Sequence, residues 1–596
     1  MILVGCGPAE QPLPGHDAVI SPSPGAAVET AKSAEATRPP VAPPTETTGA
    51  NPTPEPDKAP TVKPSLLPAS PAPPLAKVVP KTLSMHGEDR EDPYYWLRDD
   101  DRKNPEMLAQ LTAENVYTKA AMGPVSVIEK ALFEELKGRI DKDDSTVPAR
   151  KGTHWYYAEF AGDQEYPIHY RKTGTLDAPA TPILDVNALA KGHDYIAVTS
   201  LRVSSDEHIL AYAEDTLSRR VYTIRFKDLR TGKTLEDSVP GTTGSIAWAD
   251  DSKTLFYVKR DPETLRSRWV YRHTLGSDAA DDVLVWDEKD EAYYVTVRQT
   301  KSKRFVFIDL QSTITSETRY VDAKTPTGDS KPVLPREKGH EYDVAHWGDV
   351  FYVRSNWDAV NFRLLKAPIP TSGDKATWVE VVPHRADVLV TGISAFKDHL
   401  VVSERKNTLR SLHIIRQSDG EAHDITFEEP LYTARVGNNP SFDTTTLRFS
   451  YASPITPDSV YDYDLTARTR ELKKQDTVLG GYDPANYDMK REWAPSRDGK
   501  TRIPVSLVYR KGTPQDGTAP VYQYGYGSYG HAMDPSFRPS WVSLIDRGFV
   551  VAIAHIRGGE ELGRGWYDDG KMLKKMNTFN DFVDVTEFLI AQNYTA

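Results

Sequence analysis

Seven short apolar triplets recur along the middle of this chain at nearly even spacing. They are Trp155–Tyr157, Leu210–Tyr212, Leu255–Tyr257, Phe305–Phe307, Val350–Tyr352, Leu400–Val402 and Leu447–Phe449, with starts 55, 45, 50, 45, 50 and 47 residues apart. Several follow a polar turn such as Ser204-Ser205-Asp206 or Asp250-Asp251-Ser252, and several precede another strand and a turn such as Thr231-Gly232 or Asp419-Gly420. A period of about 40–50 residues with four strands per unit is the mark of a β-propeller, and seven recurrences predict seven blades over residues 150–485. A β-sandwich array is the competing architecture, and the even spacing speaks against it. A propeller alone specifies no chemistry.

The flanks differ in kind. Residues 1–80 hold 19 of the 45 prolines, with Ala, Thr, Ser and Glu filling most of the rest. Such a segment has too little apolar surface to offset ordering entropy and is expected to be a disordered tether. Its single cysteine, Cys6, excludes internal disulfides and cysteine-cluster metal sites. The context Leu3-Val4-Gly5-Cys6 resembles the lipobox of bacterial lipoproteins, although the charged and longer apolar parts of a signal peptide are missing upstream. Lipid attachment at Cys6 would place the protein in the periplasm or outer membrane; without it the expectation is cytoplasmic. Residues 81–149 read as an N-terminal helical segment packing on the C-terminal domain. It opens with the aromatic-rich Asp92-Pro93-Tyr94-Tyr95-Trp96-Leu97, followed by helices near Asn104–Lys119 and Ile128–Leu136.

After residue 486 strand and helix signals alternate. Ile503–Tyr509, Pro520–Tyr524 and the nearly continuous apolar run Gly548–Ile556 read as strands, the last covered on both faces. Thr578–Ile590 reads as a helix, with Thr578 and Asp581 as a T-x-x-D start signal. The fold class is therefore mixed: a seven-bladed β-propeller followed by the opening, at 486–596, of an incomplete α/β-hydrolase domain.

Several stretches carry a more specific resemblance. They are Asp92–Asp100, Leu217-Ser218-Arg219-Arg220, Glu288–Val295, Tyr524-Gly525-Tyr526-Gly527-Ser528-Tyr529-Gly530, and Ile556-Arg557-Gly558-Gly559-Glu560-Glu561-Leu562-Gly563 running on to Asn577-Thr578-Phe579. Together, over about residues 81–596, they resemble the prolyl oligopeptidase family of serine peptidases, and within it the oligopeptidase B branch. The resemblance implies hydrolysis of short peptides after Arg or Lys, no cofactor, and a propeller that excludes folded proteins. It implies that Tyr526 donates its hydroxyl to the oxyanion and that Asp534 faces a basic substrate residue. A second acid common in the family two positions on is here Ser536, which puts dibasic preference in doubt. Arg557 and Glu560 are expected to brace the loop that carries them.

The family's nucleophile sits in a G-G-S-A-G-G elbow, and no G-x-S-x-G occurs in this sequence. Ser528 fails the pattern because Tyr526 stands two positions before it. The triad is expected beyond residue 596, so the chain as given is expected to be inactive. His555 is read as packing at a strand end. His340-Glu341 is not a zinc motif, since the next histidine is His346. The net charge of −12 argues against nucleic acid and suits short basic peptides. Two other readings remain open at this point: a relative with prolyl or acylaminoacyl specificity, and a non-enzymatic propeller-bearing lipoprotein scaffold.

Overall fold

The computed structural model describes residues 72–596, so Cys6 and most of the proline-rich tail lie outside the described residues. The chain divides into two compact units at Gly138/Arg139. In the first, Lys81–Met85 and Glu88–Asp92 form an antiparallel hairpin that the sequence reading did not foresee. Trp96 donates its indole N–H to Lys77 O at 2.8 Å. The first helix spans Pro105–Met122, with the Asn104 side chain accepting from the backbone of Glu106 and Met107 and Pro105 in the first turn. A cap that satisfies orphan amides explains why it starts there. A second helix follows at Ser126–Gly138.

The second unit begins with the propeller. Five sheets have four or five strands each, and one seven-stranded sheet joins two blades through the long strand Thr234–Trp248. This strand pairs by its first part with Tyr222–Asp228 and by its second with Thr254–Arg260. The total is seven blades. Every apolar triplet lies on the second main strand of its blade. Leu255, Phe256, Val306, Phe307, Val401 and Val402 are fully buried. A strand held between neighbouring blades is apolar on both faces, which is why these segments are continuous and not alternating.

Among the described residues no blade borrows a strand from the other end of the chain. Side chains bridge the first and last blades, and Ile140 pairs with Val478 next to them. Arg448 donates to Pro148 O at 2.7 Å, Ser441 donates to Arg150 O at 2.7 Å, and Lys474 pairs with Asp144 at 2.5 Å.

Beyond the propeller, four strands run in the order Tyr487–Pro495, Arg502–Arg510, Val550–Ala554, Val521–Tyr524. Only the last pair is parallel. Val550, Ala552 and Ala554 pack on one face with Val585 and Leu589 of the helix Met576–Ala591. Val551 and Ile553 pack on the other with Trp541, Val542 and Ile545 of the helix Pro539–Ile545. Two apolar faces account for the continuous run read in the sequence, though the strand itself is shorter than Gly548–Ile556.

One sequence signal is corrected here. The helix starts at Met576, two residues before the T-x-x-D signal, and no side chain caps it. Thr578 and Asp581 are diverted to the neighbouring loops.

Candidate active site

The parallel strand Val521–Tyr524 delivers the chain to the sheet edge, and Tyr524–Gly530 turns there. Gly527 has φ of 62°, and a Cβ on it would lie 2.5 Å from Thr578 Cγ2 and 2.6 Å from Ile556 Cγ1. Gly558 lies even closer to its neighbour: a Cβ there would sit 2.1 Å from Gly527 O. The two loops therefore stack backbone against backbone, and Gly530 N donates to Gly558 O at 3.0 Å. Only glycine permits this approach.

Side chains from the start of the C-terminal helix fasten the stack. The Lys575 ammonium donates to Gly527 O at 2.5 Å, Ser528 Oγ at 2.6 Å and Thr578 Oγ1 at 3.2 Å. Burial pulls Lys575 below the usual lysine value, while three oxygen acceptors hold its proton. Thr578 Oγ1 donates to Arg557 O at 2.7 Å. Ser528 thus serves as an acceptor on a loop and does not occupy a strand-to-helix elbow.

Tyr526 lies in the middle of the fastened segment. It is half-buried, packs on the cluster that contains Trp541 and Ile553, and meets His531 edge-to-face at 5.4 Å between ring centres. The segment that carries Tyr526 is thus held at both flanks.

Arg557 braces its loop from inside. Its guanidinium takes both oxygens of buried Asp581 at 2.6 and 2.8 Å, and reaches Asp498 at 2.9 Å and Ser496 at 3.1 Å. Hydrogen bonds and the Arg557 charge hold Asp498 well below the usual carboxylate range. Glu560 pairs with Arg564 at 2.9 Å, and Arg564 reaches across to Glu341 of the fifth blade at 2.5 Å.

Asp534 lies on the propeller side of its segment, against arginines of two blades. Only 6% exposed, it lies between propeller arginines. Arg405 Nη2 reaches Oδ1 at 2.6 Å; Arg410 Nε reaches Oδ2 at 2.8 Å; Arg435 Nη2 and Thr433 Oγ1 also donate to Oδ2. Three guanidiniums hold the carboxyl far below its ordinary value despite its burial. A carboxylate so surrounded anchors its segment on blades six and seven. The arginines stand about 100–130 residues upstream, and no local motif could have revealed them.

His555 is fully buried, with Nε2 2.7 Å from Ser506 Oγ and Nδ1 4.0 Å from Glu561 Oε1. This Ser–His–Glu arrangement is sealed from solvent, because Ser506 and Glu561 are buried as well. Burial and nearby arginines push His555 well below the usual histidine value, so the ring is neutral. Glu561 accepts from Met533 N at 2.9 Å, and burial pushes its carboxyl up to about 7. His340 and His346 are held by Ser355 and Ser302, each at 2.7 Å.

With this geometry in place, comparison with known proteins is informative. The family described as "Prolyl oligopeptidase, N-terminal beta-propeller domain" matches residues 73–476, and "Prolyl oligopeptidase family" matches residues 535–596. Dipeptidyl aminopeptidase BI of Pseudoxanthomonas mexicana is 45% identical over 550 residues, which cover 89% of this chain and 75% of that protein. Protease 2 of Moraxella lacunata is 36% identical, covering 88% of this chain and 76% of the relative. The structure of oligopeptidase B from Leishmania major superposes with a TM-score of 0.83 at 34% identity, covering 88% of this chain and 77% of that one.

Proposed function

Because the chain belongs to the prolyl oligopeptidase family of serine peptidases, we propose that it serves an endopeptidase that cuts short peptides after Arg or Lys. The observation that carries this reading is the fastened Tyr524–Gly530 segment. Lys575, Thr578 and the Gly527–Gly558 contact fix the backbone around Tyr526 before any substrate arrives. A donor aimed in advance at developing charge contributes about 3 kcal/mol to acyl transfer in hydrolases. On this reading Tyr526 is one arm of the oxyanion site. The propeller narrows access to the cleft, which favours short peptides over folded proteins.

The likeness to oligopeptidase B and protease 2 supports Arg and Lys as the residues before the cut. Asp534 no longer does, because its charge is spent on Arg405, Arg410 and Arg435. A second reading follows from the 45% identity to a dipeptidyl aminopeptidase: removal of dipeptides from a free N-terminus. Fluorogenic dipeptides ending in Arg, with and without a blocked amine, separate the two. Turnover of blocked and free substrates supports the endopeptidase, and turnover of free amines alone supports the exopeptidase.

Cys6 is proposed as a lipid-attachment site that tethers the enzyme through its proline-rich stretch. Intact mass from native cells would carry the added diacylglycerol; an unmodified Cys6 would refute the tether.

A further inference from the structure

The Asp534 cage is over-supplied with positive charge. One carboxylate faces three guanidiniums, and among the described residues none of the three has a second carboxylate within 4 Å. Arg405 is sealed in, with its side chain 1% exposed and Nη1 donating to Thr408 O at 2.7 Å. Arg410 is 27% exposed and Arg435 is 53% exposed, so these two present their unspent donors to solvent. Asp458 feels the field of Arg435 and Arg538 but makes no ion pair with either. Burial first, and then the two neighbouring arginines, press Arg410 down to about 10 against the pull of Asp534. His531, beside this corner, is pushed below its usual value by burial, with the three arginines adding to the effect and Asp534 opposing it, so it adds no further positive charge.

The corner is also in the right neighbourhood. His531, whose charge state the three arginines influence, is the ring that meets Tyr526 at 5.4 Å. An extra anion there would relieve the like-charge repulsion, and arginine is the side chain best shaped to take a carboxylate through paired N–H donors.

We propose that Arg410 and Arg435 form a carboxylate subsite that receives the C-terminal end of a short peptide lying against the propeller. Its relevance to cleavage rests on the Tyr526 reading above, but carboxylate binding itself does not. Asp534 then has a double part. It holds the arginines in place and leaves them with charge to spare.

The test measures binding to the 596-residue chain by calorimetry at low salt. The probes are N-acetyl-trialanine with a free carboxylate, its C-terminal amide, an amidated N-acetyl-Ala-Glu-Ala carrying the carboxylate on a side chain, and acetate. The free acid should bind about tenfold tighter than its amide. Arg435→Gln should remove most of that preference, and Arg435→Lys, which keeps the charge, should restore part of it. Arg230→Gln, on an exposed pair with Asp228, should leave it unchanged. Tight binding of the glutamate peptide would keep the carboxylate subsite and assign its ligand to acidic side chains. Equal binding of acid and both amides, unchanged affinity in Arg435→Gln, or acetate binding as tightly as the peptide would overturn the proposal. A failure of Arg or Lys cleavage specificity would not register in this assay, so the two readings fail separately.

Discussion

Asp534→Asn tests how the C-terminal segment is held on the propeller. The substitution keeps shape and one acceptor but removes the charge that three arginines share. Arg410 and Arg435 are 27% and 53% exposed and can turn toward water, so their loss is small. Arg405 is 1% exposed and cannot, so it becomes a buried cation without a counter-ion. Removing one partner of a buried pair costs about 3–5 kcal/mol, and with only one sealed arginine the lower end applies, about 3 kcal/mol. Native-state hydrogen exchange reads this directly. Amides of Met533–Phe537 should lose about a hundredfold in protection, while the amides of the first blades keep theirs. Arg405→Met on top of Asp534→Asn should recover much of the loss, since removing both charges leaves no orphan. A drop of less than about tenfold, or simple additivity in the double variant, would refute the reasoning. The wild-type carboxyl titrates far below an ordinary aspartate, so its contribution is present above about pH 4 and is lost only as pH falls through the depressed native value.

Glu561 behaves oppositely. Its folded value is about 7 against an ordinary value near 4.5, so folding binds a proton between those limits. Stability should therefore fall as pH rises from about 4.5 to 7 and level off above. Glu561→Gln should be more stable than the parent by about 3 kcal/mol at pH 8 and nearly equal to it at pH 4.5; a parent whose stability is flat over that range would contradict the assignment. In the peptidase, Tyr526→Phe should lower kcat about a hundredfold with little change in KM, because the lost hydrogen bond forms mainly in the transition state. An unchanged kcat would reduce Tyr526 to a packing residue.

The propeller was legible because its signal is global. Each triplet, from Trp155–Tyr157 to Leu447–Phe449, marks the second main strand of a blade, and burial between blades enforces the pattern. The C-terminal sheet was legible for a similar reason, since Val550–Ala554 must be apolar on both faces. Local signals did less well. Thr578 and Asp581 read as a helix start, yet they serve Arg557 and the glycine loops. The hairpin at Lys81–Asp92 escaped notice because its strands are mostly charged and exposed, so no alternation marked it. Within the site, Tyr524–Gly530 and Ile556–Gly563 carried the resemblance, and the structure adds that they stack backbone against backbone. Lys575, Arg405, Arg410 and Arg435 were invisible, because their partners are 47 to 129 residues away and charged residues at such separations carry no sequence pattern.

The most direct test compares turnover by the peptidase of two fluorogenic peptides, identical except for Arg or Pro before the scissile bond. The account predicts a higher kcat/KM for the Arg substrate, by about tenfold or more. Faster turnover of the Pro substrate would contradict it and assign the chain to a prolyl-specific branch of the same family.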